Sequence, residues 1–158
     1  MKNKILGHEE LRSICNCLKK EGKKIAATSG CFDLLHAGHV IYLEEARQKA
    51  DVLVLLLNSD ASVRELKGME RPIVPQKERA IVAAGLKCVD YVCLFDELTP
   101  CERIAEFQPD IWVKGGDYAG KYIPEIDVLT PYGGRVEYVE FVDGCSSTDM
   151  IEKIKGML

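Results

Sequence analysis

Two histidines on either side of a glycine form the most informative spacing in the chain. His36 and His39 are three residues apart, with Gly38 between them, where a strand pattern gives way to a helix pattern. One helical turn brings both imidazoles to the same side. Free N–H groups at a helix N-terminus favour an anion, and each such helix-end charge interaction contributes roughly 0.3–1 kcal/mol. The spacing therefore predicts a phosphate-binding pocket, in which Gly38 lets a phosphate approach the backbone.

Two arginines are candidates for a further phosphate contact. Arg71 and Arg79 both follow the longest apolar run of the chain. A guanidinium can bind a phosphate through two parallel hydrogen bonds. For each arginine an ordinary salt bridge is an equally good interpretation, so both remain candidates.

The elements that must position these residues are visible as alternating hydrophobic patterns. A 3–4 apolar spacing predicts a helix over His8–Lys20, and the continuous apolar run over 52–57 is typical of a strand buried on both faces of a parallel sheet. Further strands are predicted over 24–28, Tyr91–Phe95, 111–113 and 135–141, and further helices over 38–50, 76–86 and 147–157.

The connecting segments give weaker patterns. The polar segment 58–75 is predicted to be a loop, and 118–131 a loop with a short helix. Thr99 is predicted to cap a helix that has Pro100 at its first position.

The alternation of strands and helices predicts the fold class. It is typical of an α/β fold with a Rossmann-like, doubly wound parallel sheet of about five strands and helices on both faces. We expect one domain over 1–158, with an N-terminal helix in 1–22 and the core in 23–158. Ligands of such sheets bind beyond the carboxyl ends of the strands.

Composition excludes several classes of protein. The chain has 158 residues, 47% of them apolar, and a net charge of −4. A mildly acidic chain is a poor candidate for non-specific nucleic-acid binding. The longest apolar run is far shorter than the about 20 residues of a membrane helix, and no signal-peptide pattern is visible. We expect a cytoplasmic protein with reduced cysteines and no membrane partner.

Two common nucleotide-binding motifs do not fit. No G-x-G-x-x-G segment follows the first predicted strand. Residues 115–121 fit G-x-x-x-x-G-K, but Tyr122 stands where a P-loop requires serine or threonine.

The stretch from Gly30 to His39 resembles the H-x-G-H signature of the nucleotidyltransferase superfamily. Other segments resemble the branch that adenylylates D-glycero-β-D-manno-heptose 1-phosphate, alone or as the C-terminal half of a bifunctional kinase/adenylyltransferase. The resemblance runs from about Lys24 to Ile154. Its segments are Asn58-Ser59-Asp60, Leu66-Lys67-Gly68, Arg71-Pro72, Val113-Lys114-Gly115-Gly116-Asp117-Tyr118 and Asp143-Gly144-Cys145-Ser146-Ser147-Thr148.

The resemblance implies a reaction and roles for individual residues. The reaction is the transfer of AMP from ATP to a heptose 1-phosphate, giving ADP-heptose and pyrophosphate by direct in-line attack. His36, His39 and Lys67 are the implied catalytic residues, and Lys67, Arg71 and Arg79 the implied contacts for the substrate phosphate. The implied nucleotide-binding residues are Cys31, Phe32, Asp33, Gly38, Gly115, Gly116, Asp117, Ser146, Ser147 and Thr148.

The resemblance also implies a cofactor and partners. Mg²⁺ is expected to arrive with the ATP phosphates and not to sit in an all-protein metal site. Asp117 is a candidate contact for the ribose or the metal ion, and Asp33 is a candidate to orient the phosphate site or to coordinate a metal-bound water. A separate kinase must make the 1-phosphate, and a separate phosphatase acts in the same pathway, which leads to surface polysaccharides. Relatives are often homodimers, and the apolar stripe of His8–Lys20 suits a dimer interface or core packing equally well.

Two alternatives remain open. Cytidylyltransferases for glycerol 3-phosphate or related alcohol phosphates look similar, but they usually carry threonine where Cys31 stands and an arginine near 142–144. A non-catalytic nucleotide-binding module would keep the fold, although the intact His36, Gly38, His39 and Lys67 argue against it.

Overall fold

The computed structural model describes residues 2–140 and 144–158, where six strands form one parallel sheet. The sheet order is β1-β4-β3-β2-β5-β6, which confirms the predicted doubly wound α/β fold. One strand more than expected is present, because two residues of β1 are too few to show a strand pattern. The strands are β1 (Ile5–Leu6), β2 (Ile25–Gly30), β3 (Val52–Asn58), β4 (Tyr91–Phe95), β5 (Ile111–Gly115) and β6 (Arg135–Val139).

Helices cover both faces of the sheet. No helix in the described part of the chain has the length and apolar character that crossing a membrane requires. The α-helices are α1 (His8–Lys20), α2 (Ala37–Gln48), α3 (Asp60–Lys67), α4 (Gln76–Ala84), α5 (Cys101–Phe107), α6 (Glu125–Leu129) and α7 (Ser147–Lys155), with 3₁₀ turns at Lys2–Lys4, Gly116–Tyr118 and Thr130–Tyr132.

The core has two layers, one on each face of the sheet. Strand β3 is buried at every position: Leu55 and its alternate neighbours face one layer, whereas Val54 and Leu56 face the other. The first layer also takes Leu43 of α2, and the second takes Leu11 and Cys15 of α1. The apolar stripe of α1 therefore packs into the core.

Two predicted segments differ in the structure. The segment 58–75 is not a continuous loop, because α3 occupies Asp60–Lys67: Ser59 Oγ accepts from the Ser62 N–H, and Val63 is buried. The polar composition hid this helix. Helix α5 begins at Cys101 with Pro100 as its N-cap residue, so the predicted Thr99 cap is wrong.

The remaining expectations fall on the last third of the chain. The short helix expected within 118–131 is α6, which confirms that prediction. Strand β6 ends at Val139, and the end of the predicted strand at Phe141 lies outside the described residues.

Strands β2 and β5 diverge at the centre of the sheet. They pair only at Ala26 with Ile111 and at Ala27 with Trp112, although β2 pairs with β3 over six positions. This is also where the strand order reverses, because β3 lies on one side of β2 and β5 on the other. The divergence opens a crevice at the carboxyl ends of the strands, where ligands bind in doubly wound folds.

Two hydroxyl groups hold the strands together where the ladder ends. Thr28 Oγ1 and the Tyr42 hydroxyl lie 2.8 Å apart, and each lies 3.0 Å from the Val113 carbonyl oxygen. Side-chain hydroxyls thus satisfy a carbonyl that lies at the base of the crevice. Burial raises the pKa of Tyr42 to about 12, so its hydroxyl keeps its proton at neutral pH.

We expect Thr28→Val to lower the free energy of unfolding by about 1–2 kcal/mol, since it removes a buried hydroxyl that Val113 and Tyr42 share. Thr130→Val is the matched control, because the Thr130 hydroxyl bonds to Ile126 O in an exposed position. Chemical denaturation of both variants measures the difference. Equal losses in the two variants would contradict a special role for the Thr28 hydroxyl.

Candidate active site

A cavity of about 710 Å³ opens at the carboxyl end of the sheet, around the divergence of β2 and β5. Its size is typical of a small-molecule site. The structure brings to it most of the residues singled out in the sequence. They are Cys31, Phe32, Asp33, His36, Gly38, His39, Lys67, Arg71, Gly115, Asp117, Ser146, Ser147 and Thr148.

The two histidines stack on each other at the start of α2. The centroids of the His36 and His39 rings are 3.8 Å apart, with 21° between the ring planes. The centroid of the Phe32 ring lies 4.8 Å from that of His39. The His36 backbone N–H donates to His39 Nδ1 at 3.4 Å. Stacking and this bond hold both imidazoles at the N-terminus of α2.

Both imidazoles are held in their neutral form. Burial, the nearby His36 ring and the Lys67 ammonium lower the pKa of His39 to about 4, and burial lowers the pKa of His36. A neutral imidazole carries one proton, and His39 Nδ1 already accepts a hydrogen bond. We therefore assign the His39 proton to Nε2, which makes Nε2–H a hydrogen-bond donor.

Gly38 is required by close packing. A Cβ at Gly38 would lie 2.8 Å from Cys145 Cβ and 3.1 Å from the His36 ring. Real Cβ atoms essentially never come as close as the first of these distances. The glycine thus lets the segment before α7 close over the start of α2.

Asp33 organises the segment that carries Arg71. Its carboxylate accepts from the backbone N–H groups of Ile73 and Val74 at 2.9 Å and from Arg71 Nε at 2.7 Å. Burial alone would raise the pKa of Asp33, but these N–H donors and the Arg71 charge hold it below its usual value. With Nε bound to Asp33, the terminal guanidinium nitrogens of Arg71 remain to serve the cavity.

Arg79 does not line the cavity, and this corrects its expected role as a phosphate clamp. The residue is 2% exposed. Its guanidinium donates to the carbonyl oxygens of Val74, Cys31 and Asn58 and to Asp60 Oδ1, at 2.6–2.9 Å. Four of its five N–H groups are thereby committed, so Arg79 is a structural tie among four segments.

Lys67 is the last residue of α3 and lines the cavity. The expectation that it lies on a long loop is wrong, because α3 extends to this residue. Gly68 follows it with φ of +98°, a conformation that favours glycine and ends the helix. A helix end therefore presents the lysine to the cavity from the β3 side.

The start of α7 uses two of its three hydroxyls within the protein. Ser146 is the N-cap, and its Oγ accepts from the Asp149 N–H at 3.0 Å. Ser147 Oγ donates to Leu34 O at 3.0 Å and ties α7 to the loop before the histidines. The expected motif residue Asp143 and the neighbouring Val142 lie outside the described residues.

The β5 side of the cavity differs in chemistry from the β3 side. Gly115 and Asp117 line the cavity, whereas Gly116 does not and packs against the Val139 carbonyl. Sequence reasoning assigned no role to Lys114, whose Nζ lies 3.1 Å from Glu125 Oε1. Lys114 belongs to a motif that the sequence shows, but nothing in the sequence around Glu125 points to the site.

Cys31 lines the cavity as a protonated thiol. Burial raises its pKa, and the nearby Lys67, Arg79 and Arg71 charges oppose that rise only in part. Since the thiolate is the reactive form, this environment favours packing over redox chemistry.

Two of the carboxylates that line the cavity, Asp33 and Asp117, bear on how a metal ion could bind here. Within the described residues, no cluster of three or more His, Cys, Asp or Glu side chains could hold an ion. Both oxygens of Asp33 already accept N–H groups. Asp117 is a carboxylate on the cavity wall, which fits Mg²⁺ that takes most of its ligands from a nucleotide.

The fold and this site define the class of protein. Residues 27–153 match the cytidylyltransferase-like family, and the chain belongs to that family. The resemblance first seen in the H-x-G-H segment is thereby confirmed.

Individual relatives make the likeness more specific. The "Bifunctional protein HldE" of Geobacter metallireducens is 54% identical over 151 residues, which are 96% of this chain and 31% of that protein. HldE of Syntrophotalea carbinolica is 51% identical over 152 residues, with the same coverage. The chain thus spans just under a third of the length of these relatives. The lipopolysaccharide core biosynthesis protein from Thermoplasma volcanium superimposes with a TM-score of 0.63 and 28% identity, covering 77% of this chain and 98% of that one.

We expect Arg79→Met to lower the free energy of unfolding by about 3–5 kcal/mol, since it leaves buried carbonyls without their donor and Asp60 without its ion-pair partner. Arg135→Met is the control, because the exposed Arg135 forms a surface ion pair with Glu137. Urea denaturation measures both. An unchanged stability together with a raised KM for a phosphate substrate would restore Arg79 as a clamp.

The depressed pKa of His39 makes the fold sensitive to acid. Between pH 6.5 and about 4, the unfolded chain takes up a proton at this residue but the folded chain does not, so stability is lost as the pH falls through this window. We expect Tm to fall more steeply over that range in the wild type than in His39→Gln. Parallel Tm profiles for the two proteins would refute the buried neutral imidazole.

Proposed function

We propose that this chain is an adenylyltransferase that transfers AMP from ATP to a heptose 1-phosphate. An oxygen of the sugar phosphate forms a bond to the α-phosphorus of ATP. The bond from that phosphorus to the bridging oxygen breaks, and pyrophosphate leaves with the electron pair. No enzyme nucleophile is required, because such a transfer depends mainly on positioning and charge stabilisation.

The stacked, neutral pair of His36 and His39 is the observation that carries this proposal. In our assignment His39 Nε2–H donates to an oxygen of the reacting phosphates, and the free N–H groups of α2 point to the same region. A neutral donor remains in place across the neutral pH range, because His39 titrates only at about pH 4. The pair therefore stabilises charge on the phosphates and takes up no proton.

Two cations are placed to bind the remaining phosphates. Lys67 approaches at the end of α3, and the terminal nitrogens of Arg71 are presented by its bond to Asp33. We assign Arg71 and Lys67 to the leaving phosphates or the acceptor phosphate. Asp33 positions Arg71 and does not itself contact substrate.

Magnesium bound with the nucleotide would neutralise part of the phosphate charge. Asp117 is the residue that we assign to it. Gly115, Thr148 and the backbone at the start of α7 remain our candidates for contacts with the nucleoside and its phosphates.

The choice of acceptor rests on similarity. The motif over 113–118 resembles the heptose branch, and identity to HldE proteins is 51–54% in the cases above. The structural neighbour is described as a lipopolysaccharide core biosynthesis protein. These likenesses support a heptose 1-phosphate, which requires a kinase that phosphorylates the sugar beforehand. We assign the reaction to the cytoplasm, where ATP is available.

Pyrophosphate release tests the proposal directly. We expect turnover only for ATP with a heptose 1-phosphate, in a matrix of ATP, CTP, GTP and UTP against heptose 1-phosphates, glycerol 3-phosphate and phosphoethanolamine, with magnesium present. His39→Ala should lower the rate by about 10²–10³, since it removes a donor to the reacting phosphates. His8→Gln is the control, because His8 bonds to Leu94 O and Arg103 and does not line the cavity.

Two results would count against the proposal. Turnover with CTP and glycerol 3-phosphate would keep the chemistry and reject the heptose branch. Near-normal turnover of His39→Ala would reject the assigned role of the histidine pair.

A further inference from the structure

An ion pair lies in the wall of the cavity on the β5 side. Lys114 stands one residue before the end of β5, and Glu125 is the first residue of α6. Lys114 Nζ lies 3.1 Å from Glu125 Oε1, and both residues line the cavity. The pair therefore faces the same cavity as the histidines, from the side opposite to Lys67 and Arg71 across β2.

Glu125 is deeply buried but only half satisfied. Its side chain is 4% exposed, and Oε2 has no hydrogen-bond donor among the described residues. Asp33, which is similarly buried, has donors on both oxygens. A buried charged acceptor without a donor is destabilising. A ligand that donates a hydrogen bond to the Glu125 carboxylate would remove this cost.

Lys114 supplies the complementary group. Its ammonium has three N–H donors, and it lies 4.5 Å from the centre of the Tyr118 ring while it pairs with Glu125. An ammonium and a carboxylate side by side offer a donor and an acceptor, and the Tyr118 ring offers an apolar face. A sugar hydroxyl is both a donor and an acceptor, and a sugar ring also presents C–H groups.

The charges divide the cavity between two kinds of ligand group. Lys67 and Arg71 on the β3 side attract phosphates, whereas the Lys114–Glu125 pair is neutral as a unit. The Glu125 carboxylate would repel a phosphate that bound against it. An uncharged polyhydroxyl group satisfies the pair without this repulsion.

We propose that Lys114 and Glu125 form a subsite for hydroxyl groups of the acceptor sugar, with Glu125 accepting a hydrogen bond from one hydroxyl and Lys114 donating to another. This subsite rests on the proposed function, because it specifies how the acceptor sugar of that reaction is recognised. The terminal torsion of a glutamate is soft, so the carboxylate can turn toward a hydroxyl that enters the cavity. Both residues thus determine specificity and take no part in bond making.

The test compares this pair with a lysine–glutamate ion pair of the same length outside the cavity. Lys49 Nζ lies 3.1 Å from Glu137 Oε2, both side chains are partly buried, and neither lines the cavity. Glu125→Gln and Lys114→Met are therefore matched by Glu137→Gln and Lys49→Met. Pyrophosphate release gives kcat/KM for the heptose 1-phosphate and KM for ATP, and thermal melting reports folding.

We expect Glu125→Gln to lower kcat/KM for the heptose 1-phosphate by about 10- to 100-fold, since it weakens a hydrogen bond to a buried charge. In Glu125→Gln, KM for ATP should stay near the wild-type value. Lys114→Met should act in the same direction on kcat/KM and should also lower Tm, because it leaves the buried Glu125 carboxylate without its cation. The two control variants should leave kcat/KM unchanged. A lower Tm with unchanged kcat/KM for the acceptor would make the pair structural and overturn the inference.

Acceptors that each lack one hydroxyl identify the contact. Removing the hydroxyl that Glu125 binds should reduce kcat/KM in the wild type and have little further effect in Glu125→Gln. Equal reductions in both proteins for every deoxy sugar phosphate would overturn the inference while the proposed function stands. A wild-type protein inactive with all heptose 1-phosphates would reject the proposed function and, with it, this subsite.

Discussion

The site depends on the early end of one strand pairing. Strands β2 and β5 pair only at Ala26 and Ala27, and the crevice between their carboxyl ends exists because they part there. The hydroxyls of Thr28 and Tyr42 satisfy the Val113 carbonyl at that point, so this carbonyl keeps hydrogen-bond donors where the strand ladder ends. The histidines follow β2, and Lys114 lies near the end of β5. The divergence therefore puts the histidines on one wall of the crevice and the Lys114–Glu125 ion pair on the other.

Buried charges fix the loops around this crevice. Arg79 ties the ends of β2 and β3 to the segment before α4, and Asp33 ties Arg71 and its neighbours to the loop after β2. Both groups have nearly all their hydrogen-bonding capacity satisfied within the protein. Glu125 is buried, and one of its oxygens has no donor in the part of the chain that the structure describes. A satisfied buried charge serves the fold, whereas an unsatisfied one on a cavity wall lacks a donor that the described residues do not supply.

Much of this organisation was predictable from local patterns. The apolar run of β3 indicated a doubly buried strand, and the spacing of His36 and His39 indicated a phosphate site at a helix start, because both patterns come from neighbours in the chain. Helix α3 was missed because its polar residues hide a single buried face around Val63. Arg79 looked like Arg71 in sequence, since Arg71 lies shortly before α4, Arg79 lies near its start, and both carry a guanidinium. Burial alone separates them, and burial comes from contacts 21 and 48 residues away.

The sequence by itself determined the fold class, the family and the histidine pair, because these follow from periodicity and from a short motif. The tertiary structure decided which charged side chains meet the cavity. It directed Arg79 inward, presented Arg71 through Asp33, and paired Lys114 with Glu125 across the turn between β5 and α6. Those outcomes depend on how distant segments share a limited number of buried donors and acceptors. No local pattern contains that allocation, since it is settled only when the sheet and its helices pack together.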